Sequence, residues 1–338
     1  MDTVTHIVIG ACIGEAVGGK ALGKRAMWMG ALAQSIPDVD FIPQMWLGPT
    51  EDFLAHRGFT HSLLFGLIAT VILGLIAQRI FRNRPFSRNR WFFLFSVNVF
   101  VHLFIDAFNA YGTAWFEPFS DQRFSFHILY VADPFFSIWP LLAFLILMIG
   151  RSHYHLRHKI AMTALSLSGV YLGYAMTNKL SVDADLKAEL LEKGIPVNQY
   201  EYLLTPAPFN SWLWYVVAQD GKGFYVGYRS VFDKGSETRL KFFPRNETLL
   251  NSVADQDEVE NLKKFAGDYY TVEKRGDTVV FNVLRFGQIA GWVYPNEKFV
   301  FHYFLGMPEA NDLTVQRGRF AKWNQYTFDA FLRRISGH

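Results

Sequence analysis

His56-Arg57-Gly58-Phe59-Thr60-His61-Ser62 runs straight into the uncharged stretch LLFGLIATVILGLIAQ and then Arg79 and Ile80. From Leu63 to Ile80 the chain is apolar for about 27 Å of helix, close to the thickness of a bilayer's hydrocarbon core. Two imidazoles and a guanidinium therefore stand at the mouth of a membrane helix. Ionisable groups there are costly unless paired or ligating, so they mark function.

Working outward, Trp91 to Phe108, Asp133 to Ile149 and Ile160 to Met176 read as further spans. Val4 to Gly18 and Ala26 to Ile36 are shorter. The second of these reaches only about 16 Å, a half-span or one arm of a hairpin. The expectation is an α-helical membrane domain of about six membrane helices over residues 1–178. A small β-rich extramembrane domain follows over 179–338.

Basic residues set the expected orientation. Lys20, Lys24 and Arg25, then Arg79, Arg82, Arg84, Arg88 and Arg90, then Arg151, Arg157 and Lys159 occupy alternate loops, with only Arg57 and Arg123 in the others. Six crossings of a cytoplasmic membrane would place the basic loops inside. His6, Asp38, Asp40, His56, His61, Asp106, His127 and Asp133 would then gather at the extracytoplasmic surface, along with the C-terminal domain.

A net charge of +3 is too small to suggest nucleic acid. The single cysteine, Cys12, excludes an intramolecular disulfide. The N-terminus lacks a basic n-region and cleavage site, so the first apolar segment is expected to be retained. Residues 181–194 look like a short amphipathic helix or linker. Beyond them, Trp212 to Ala218, Phe224 to Phe232, Thr278 to Leu284 and Phe299 to Leu305 are rich in aromatic and β-branched residues and read as strands. Asp220 to Gly223 and Arg275 to Asp277 supply turns, and Asp255 to Phe265 reads as one helix.

The candidate chemistry lies in three places. His102 and Asp106 share a helix face at i, i+4 and can reach one ion together, although a buried polar pair gives the same spacing. Asp38 and Asp40 follow Pro37, where two close carboxylates repel unless a cation or proton intervenes; a plain acidic helix stop is the alternative. His56 and His61 bracket Gly58, expected to let the loop turn tightly, and Thr60 is expected to cap the helix that follows. Arg57 suits a phosphoryl oxygen, or else it snorkels at the interface. Asp133 before Pro134 is a candidate ligand or simply a helix cap. No H-E-x-x-H, Walker A, G-x-G-x-x-G or G-x-S-x-G pattern occurs.

Taken together, Asp2 to His6, Pro37-Asp38-Val39-Asp40, His56 to Ser62, His102-x-x-x-Asp106, Tyr111-Gly112-Thr113, Pro118 to Ser120 with Arg123, and Asp133-Pro134 resemble the YdjM-like family of membrane-bound metal-dependent hydrolases. The resemblance covers about residues 1–178. It implies a helical metal-binding domain, similar in concept to zinc-dependent phospholipase C and P1 nuclease. It carries His6, Asp38, Asp40, His56, His61, His102, Asp106 and Asp133 over as metal ligands.

The expected activity is hydrolysis of a phosphoester or phospholipid-like amphiphile by metal-activated water. Two or three divalent ions, most simply Zn²⁺ with Mn²⁺ or Fe²⁺ as substitutes, would supply the activation. Asp40 is the expected general base, and Arg57 and Arg123 the groups that stabilise developing charge. A non-enzymatic metal-stabilised membrane scaffold or metal sensor is the competing reading. The expected partner is membrane lipid or an amphiphilic substrate.

Overall fold

Asp2 starts the first helix, α1 (Thr3–Leu22), its carboxylate accepting from the Thr5 amide. Gly23, with φ 61°, turns the chain directly into α2 (Lys24–Ser35). The two helices pack backbone to backbone because glycines face each other. A Cβ on Gly14 would lie 2.0 Å from the Ala26 carbonyl oxygen, and one on Gly30 2.0 Å from that of Gly10. Gly14→Val is therefore expected to lower the thermal unfolding midpoint, by a loss of about 3 kcal/mol. A midpoint within 1 °C of wild type in a melting experiment would show that the hairpin does not need this close approach.

The computed structural model describes every residue except 43–44, 151–152, 194–201, 234–236, 308–310, 312–319 and 321; Arg151, counted above among the basic residues, falls outside. A 3₁₀ turn, Pro37–Phe41, follows α2. Next come α3 (Pro49–Ala55), α4 (Leu63–Ile80), α5 (Arg88–Asp106), α6 (Pro134–Ile149) and α7 (Tyr154–Glu192). The chain divides into two units. One comprises residues 1–45, 55–174 and 208–210; the other comprises 46–54, 175–207 and 211–338.

In the first unit, α1 packs against α2, α5 and α6, and α4 packs against α5. Small side chains again permit this: Ala11, Cys12, Ala31, Ala143, Ala161 and Ala164 form one buried cluster. Glu15, buried in α1, pairs with Arg157 of α7. That is the partner a carboxylate at this depth requires.

The expectation of about six membrane helices is not met. Among the described residues two helices are long and apolar enough to cross a membrane, α4 and α7. Helix α6 is apolar but has 16 residues, and α2 has 12. Helices α1 and α5 have the length, but they carry buried polar groups: His6 and Glu15 on one, Asn98, His102 and Asp106 on the other. An uncharged run does not by itself distinguish a span from a helix packed around a polar centre.

The second unit contains a β-rich fold, as the strand pattern suggests. β1 (Tyr202–Pro206), β2 (Leu213–Gln219), β3 (Gly223–Ser230) and β4 (Leu240–Pro244) form an antiparallel meander. Helix α8 (Gln256–Ala266) precedes a second meander of β5 (Tyr270–Arg275), β6 (Thr278–Gln288) and β7 (Phe299–Phe304), and α9 (Gln325–Ile335) follows. Strand β2 is buried on both faces. Leu213, Tyr215 and Val217 face a core shared with Leu284, Phe299 and Phe331. Trp214, Val216 and Ala218 face Val182, Leu186 and Leu190 of α7. That double cover explains why β2 reads as a continuous apolar run rather than an alternation.

Candidate metal centre

Four side chains from three stretches of the first unit converge. One donor atom each from Asp38, His61, His102 and Asp106 lie within 4.8 Å of one another. Nε2 of His61 is 3.1 Å from Nε2 of His102, and Oδ2 of Asp106 is 3.3 Å from the first and 3.5 Å from the second. Oδ1 of Asp38 stands 3.7 and 3.6 Å from the same two nitrogens. Ligands about 2.0 Å from a tetrahedral ion are separated by about 3.3 Å, so these spacings match the edges of such a polyhedron.

The surrounding bonds turn the donors inward. Nδ1 of His102 lies 2.5 Å from the backbone oxygen of Gln34, an acceptor only. That fixes the proton on Nδ1 and leaves Nε2 with its lone pair toward the centre. His61 directs Nδ1 at Thr60 Oγ1, 3.1 Å away, and at Asp40 Oδ2, 3.7 Å away. Its burial pushes the imidazole well below its ordinary pKa, toward the neutral form that ligates. Oδ2 of Asp106 is buried and makes no hydrogen bond among the described residues. Two imidazole lone pairs and a carboxylate oxygen that no hydrogen bond satisfies form a group that could hold a cation.

Charge counting agrees. Three carboxylates, Asp38, Asp40 and Asp106, are gathered there. Against them stand the Arg57 guanidinium and the Met1 amino group, which contacts Asp106 Oδ1. Burial also pushes that amine well below its ordinary pKa. His6 approaches Asp106 Oδ1 at 3.1 Å and stacks on His102 with ring centroids 3.8 Å apart. It packs against two of the four and is not itself among them.

The local chain explains the layout. In the Pro37–Phe41 turn, Asp38 and Asp40 project differently. Asp38 meets the histidine pair, while Asp40 accepts from the Arg57 amide at 2.8 Å and pairs with His56 Nδ1 at 3.0 Å. Burial opposes ionisation of Asp40, but the His56 hydrogen bond and charge, nearby His61 and the Arg57 amide outweigh it. Its carboxyl sits well below the usual range.

Between the histidines the left-handed residue is Arg57, with φ 57°, not Gly58. Such backbone at a non-glycine residue carries strain that surrounding contacts must hold. The contacts are there: the guanidinium donates to Asn109 Oδ1 at 2.8 Å, its Nε lies 3.3 Å from Asp106 Oδ2, and it covers the Tyr111 ring. Ser62, rather than Thr60, caps α4 by accepting from the Phe65 amide. Thr60 is committed to His61.

Arg123 donates to the His56 backbone oxygen at 2.9 Å, and burial lowers its pKa to about 10. Asp133 caps α6 through Oδ1 and accepts from Tyr171 through Oδ2; it is not among the four converging residues. Gln34, Asn109 and Tyr111 hold the centre together, and nothing in the sequence pattern marks a backbone carbonyl such as that of Gln34.

Burial raises the Asp133 pKa to about 6, with its hydrogen bonds acting the other way. A folded-state pKa above the unfolded one means the ionised carboxylate opposes folding. Stability is highest below the unfolded value near 4 and falls as pH rises through about 6. Asp133→Asn should remove that loss, raising stability at pH 8 by about 1–3 kcal/mol with little change at pH 4. Equal effects at both pH values in melting curves would contradict it.

The sequence profile described as "YdjM inner membrane protein" matches residues 1–182, more than half of the chain. The chain belongs to the YdjM inner membrane protein family. "Uncharacterized protein YfhP" of Bacillus subtilis (strain 168) is 30% identical over 275 residues, covering 78% of this chain and 79% of its own. "Inner membrane protein YbcI" of Escherichia coli (strain K12) is 31% identical over 123 residues, 36% of this chain and 69% of its own. No solved structure matches the chain. The YdjM region contains all four converging residues and both candidate spans up to residue 182. The match to YfhP is too long to fit within that region, so it reaches into the β-rich part as well.

Proposed function

We propose that this YdjM-family protein holds a divalent cation through Asp38, His61, His102 and Asp106 and hydrolyses a phosphoester of an amphiphile at the membrane surface. The observation that carries the reading is the inward-facing pair of imidazole Nε2 atoms beside the unbonded Asp106 oxygen. Mixed imidazole and carboxylate donors suit Zn²⁺, with Mn²⁺ or Fe²⁺ as alternatives. Such a cation supplies Lewis acidity and lowers the pKa of coordinated water.

The remaining roles fall to this chain's own residues. Arg57, fixed by Asn109 and Tyr111, presents positive charge to a phosphoryl oxygen, and Arg123 steadies the His56 loop. Asp40 is too strongly held in its ionised form to be a good base. His56, whose side chain is 39% exposed and backed by Asp40, is better placed to take up a proton. Phe41, Ile42 and Met45 beside the acidic turn, Phe59 beside His61, and Phe116 and Phe119 before Arg123 are exposed. An apolar fringe on the very loops that carry the polar centre suits a lipid-like substrate.

Arg79, Arg82, Arg84, Arg88 and Arg90 flank the far end of α4, while Arg157 and Lys159 open α7. By the positive-inside preference those ends face the cytoplasm, and His61 and the chain beyond α7 face the other side of the inner membrane. Alkaline phosphatase fused after His338 should then be active.

The activity test is hydrolysis of phosphodiester and phospholipid substrates by detergent-purified protein, with and without chelator, beside His61→Ala. Turnover that chelation and His61→Ala both abolish is expected. Turnover that survives chelation would end the metal mechanism. Bound metal with no turnover across the panel would favour a metal-stabilised scaffold or sensor.

A further inference from the structure

Five arginines, Arg79, Arg82, Arg84, Arg88 and Arg90, crowd the turn between α4 and α5. Between Leu63 and Ile105 the sequence holds no lysine, aspartate or glutamate, so nothing nearby in the chain balances them. The whole chain carries a net charge of +3, and without these five it is net negative. All five are exposed. None has a hydrogen-bond or carboxylate partner among the described residues, and only Arg88 makes a ring contact, 5.7 Å from the centroid of Phe92. Arg88 and Arg90 also stand in the first turn of α5, the end at which a helix dipole disfavours cations. Such a cluster repels itself unless anions settle on it.

The turn that carries them has a fixed frame. Phe86 is buried and packs edge to face on Trp91, ring centroids 4.7 Å apart, and Phe81 stacks on the same indole at 5.6 Å. The Arg84 amide donates to the Phe81 carbonyl and the Phe86 amide to that of Arg84, at 2.9 and 2.8 Å. A backbone set before the ligand arrives lowers the ordering cost of binding. Beside the arginines, Ile72, Ile76 and Ile80 form a stripe on α4, and Phe93 lies on α5; each is at least half exposed. A partner that meets both features has an anionic head and apolar tails. A nucleic acid or an acidic peptide would leave the stripe in water.

Orientation in the membrane needs positive charge only, and lysine serves it as well as arginine. The other basic loops do mix the two, with Lys20, Lys24 and Arg25 in one and Arg157 and Lys159 in another. Here every cation is a guanidinium, whose planar fork grips two phosphate oxygens at once. We propose that the α4–α5 turn binds the phosphodiester headgroups of anionic phospholipids, with their acyl chains on the isoleucine stripe. Helix α4 separates this surface from the metal centre, since His61 precedes the helix and Arg79 lies in its last turn. The proposal therefore does not depend on cation binding or hydrolysis.

The test counts lipids on the full chain by native mass spectrometry in an uncharged detergent, beside melting curves. Phosphatidylglycerol is compared with phosphatidylcholine, and inorganic phosphate and a DNA oligonucleotide serve as anions without tails. Phosphatidylglycerol should bind at least about tenfold more tightly than phosphatidylcholine, and it alone should raise the melting midpoint. Arg82→Gln, Arg84→Gln and Arg88→Gln together should weaken it by about 100-fold, each cation at a lipid surface contributing about fivefold. The same three positions changed to lysine keep the charge yet should lose about tenfold, because the forked contacts go. Without lipid both triple variants should melt as wild type does, since the three side chains are exposed. The proposal is overturned if phosphatidylcholine binds as tightly, if either triple variant binds as wild type does, or if phosphate or the oligonucleotide binds in preference to the lipid.

Discussion

His102→Ala is expected to lower divalent-cation affinity by more than about 100-fold, beyond the 10–100-fold that losing an outer-shell partner costs. His61→Ala should match it. Asp106→Asn should fall nearly as far, because it keeps the side chain's volume and removes the carboxylate charge at the oxygen that faces both histidines. His155→Ala is the control, an exposed histidine near the start of α7. Competition titration with a chelating dye, read beside metal content after gel filtration, measures all four. The reason for so large a loss is geometric: each imidazole supplies one corner of a compact polyhedron, and no other histidine among the described residues has a donor atom in that group of four. Retained affinity in His102→Ala and His61→Ala together would remove the centre.

Arg57→Gln separates cation binding from turnover. Arg57 is buried, its Nε 3.3 Å from Asp106 Oδ2, and its positive charge opposes a cation at the same oxygen. Removing that charge should tighten cation binding by about tenfold, the order expected for charges a few ångström apart in a partly screened interior. Turnover of a phosphoester should fall by about 100-fold or more, as when a preorganised charge-stabilising donor is deleted. The two parameters therefore move in opposite directions. A merely structural Arg57 would lower both along with the melting midpoint. Glutamine keeps the Arg57 backbone amide that Asp40 accepts from, so the Asp40–His56 arrangement is retained in the comparison.

The sequence was most legible where one physical rule dominated. Leu63–Ile80 matches its apolar run end to end, since a Ser62 cap and the polar residues after Ile80 bound it. The reading of the last membrane segment stopped at Met176, where charges enter, yet α7 continues to Glu192. Val182, Leu186 and Leu190, spaced by four, already encoded the face that packs on β2. β5 was missed because TVEKR is strongly charged, and β4 because LKFFP is short and ends in proline. The count of six spans failed for a different reason: hydropathy cannot tell a lipid-facing helix from one whose polar residues line a centre, as in α1 and α5.

At the site, residue type and spacing marked His61, His102, Asp38 and Asp106, which the fold brings together. They could not show that Asp40 turns instead to His56 and the Arg57 amide. That assignment depends on the 3₁₀ geometry of residues 37–41 and on the left-handed backbone at Arg57, neither of which leaves a pattern in composition. For Asp133, the cap that its place before Pro134 offered is the role the structure shows.

X-ray absorption at the metal edge of the purified, zinc-loaded protein probes the centre most directly. The expected spectrum is one nitrogen/oxygen shell near 2.0 Å with outer-shell scattering from two imidazoles, reduced to one imidazole in His102→Ala. A zinc-loaded sample that retains no stoichiometric metal, or whose spectrum lacks imidazole scattering, would contradict it.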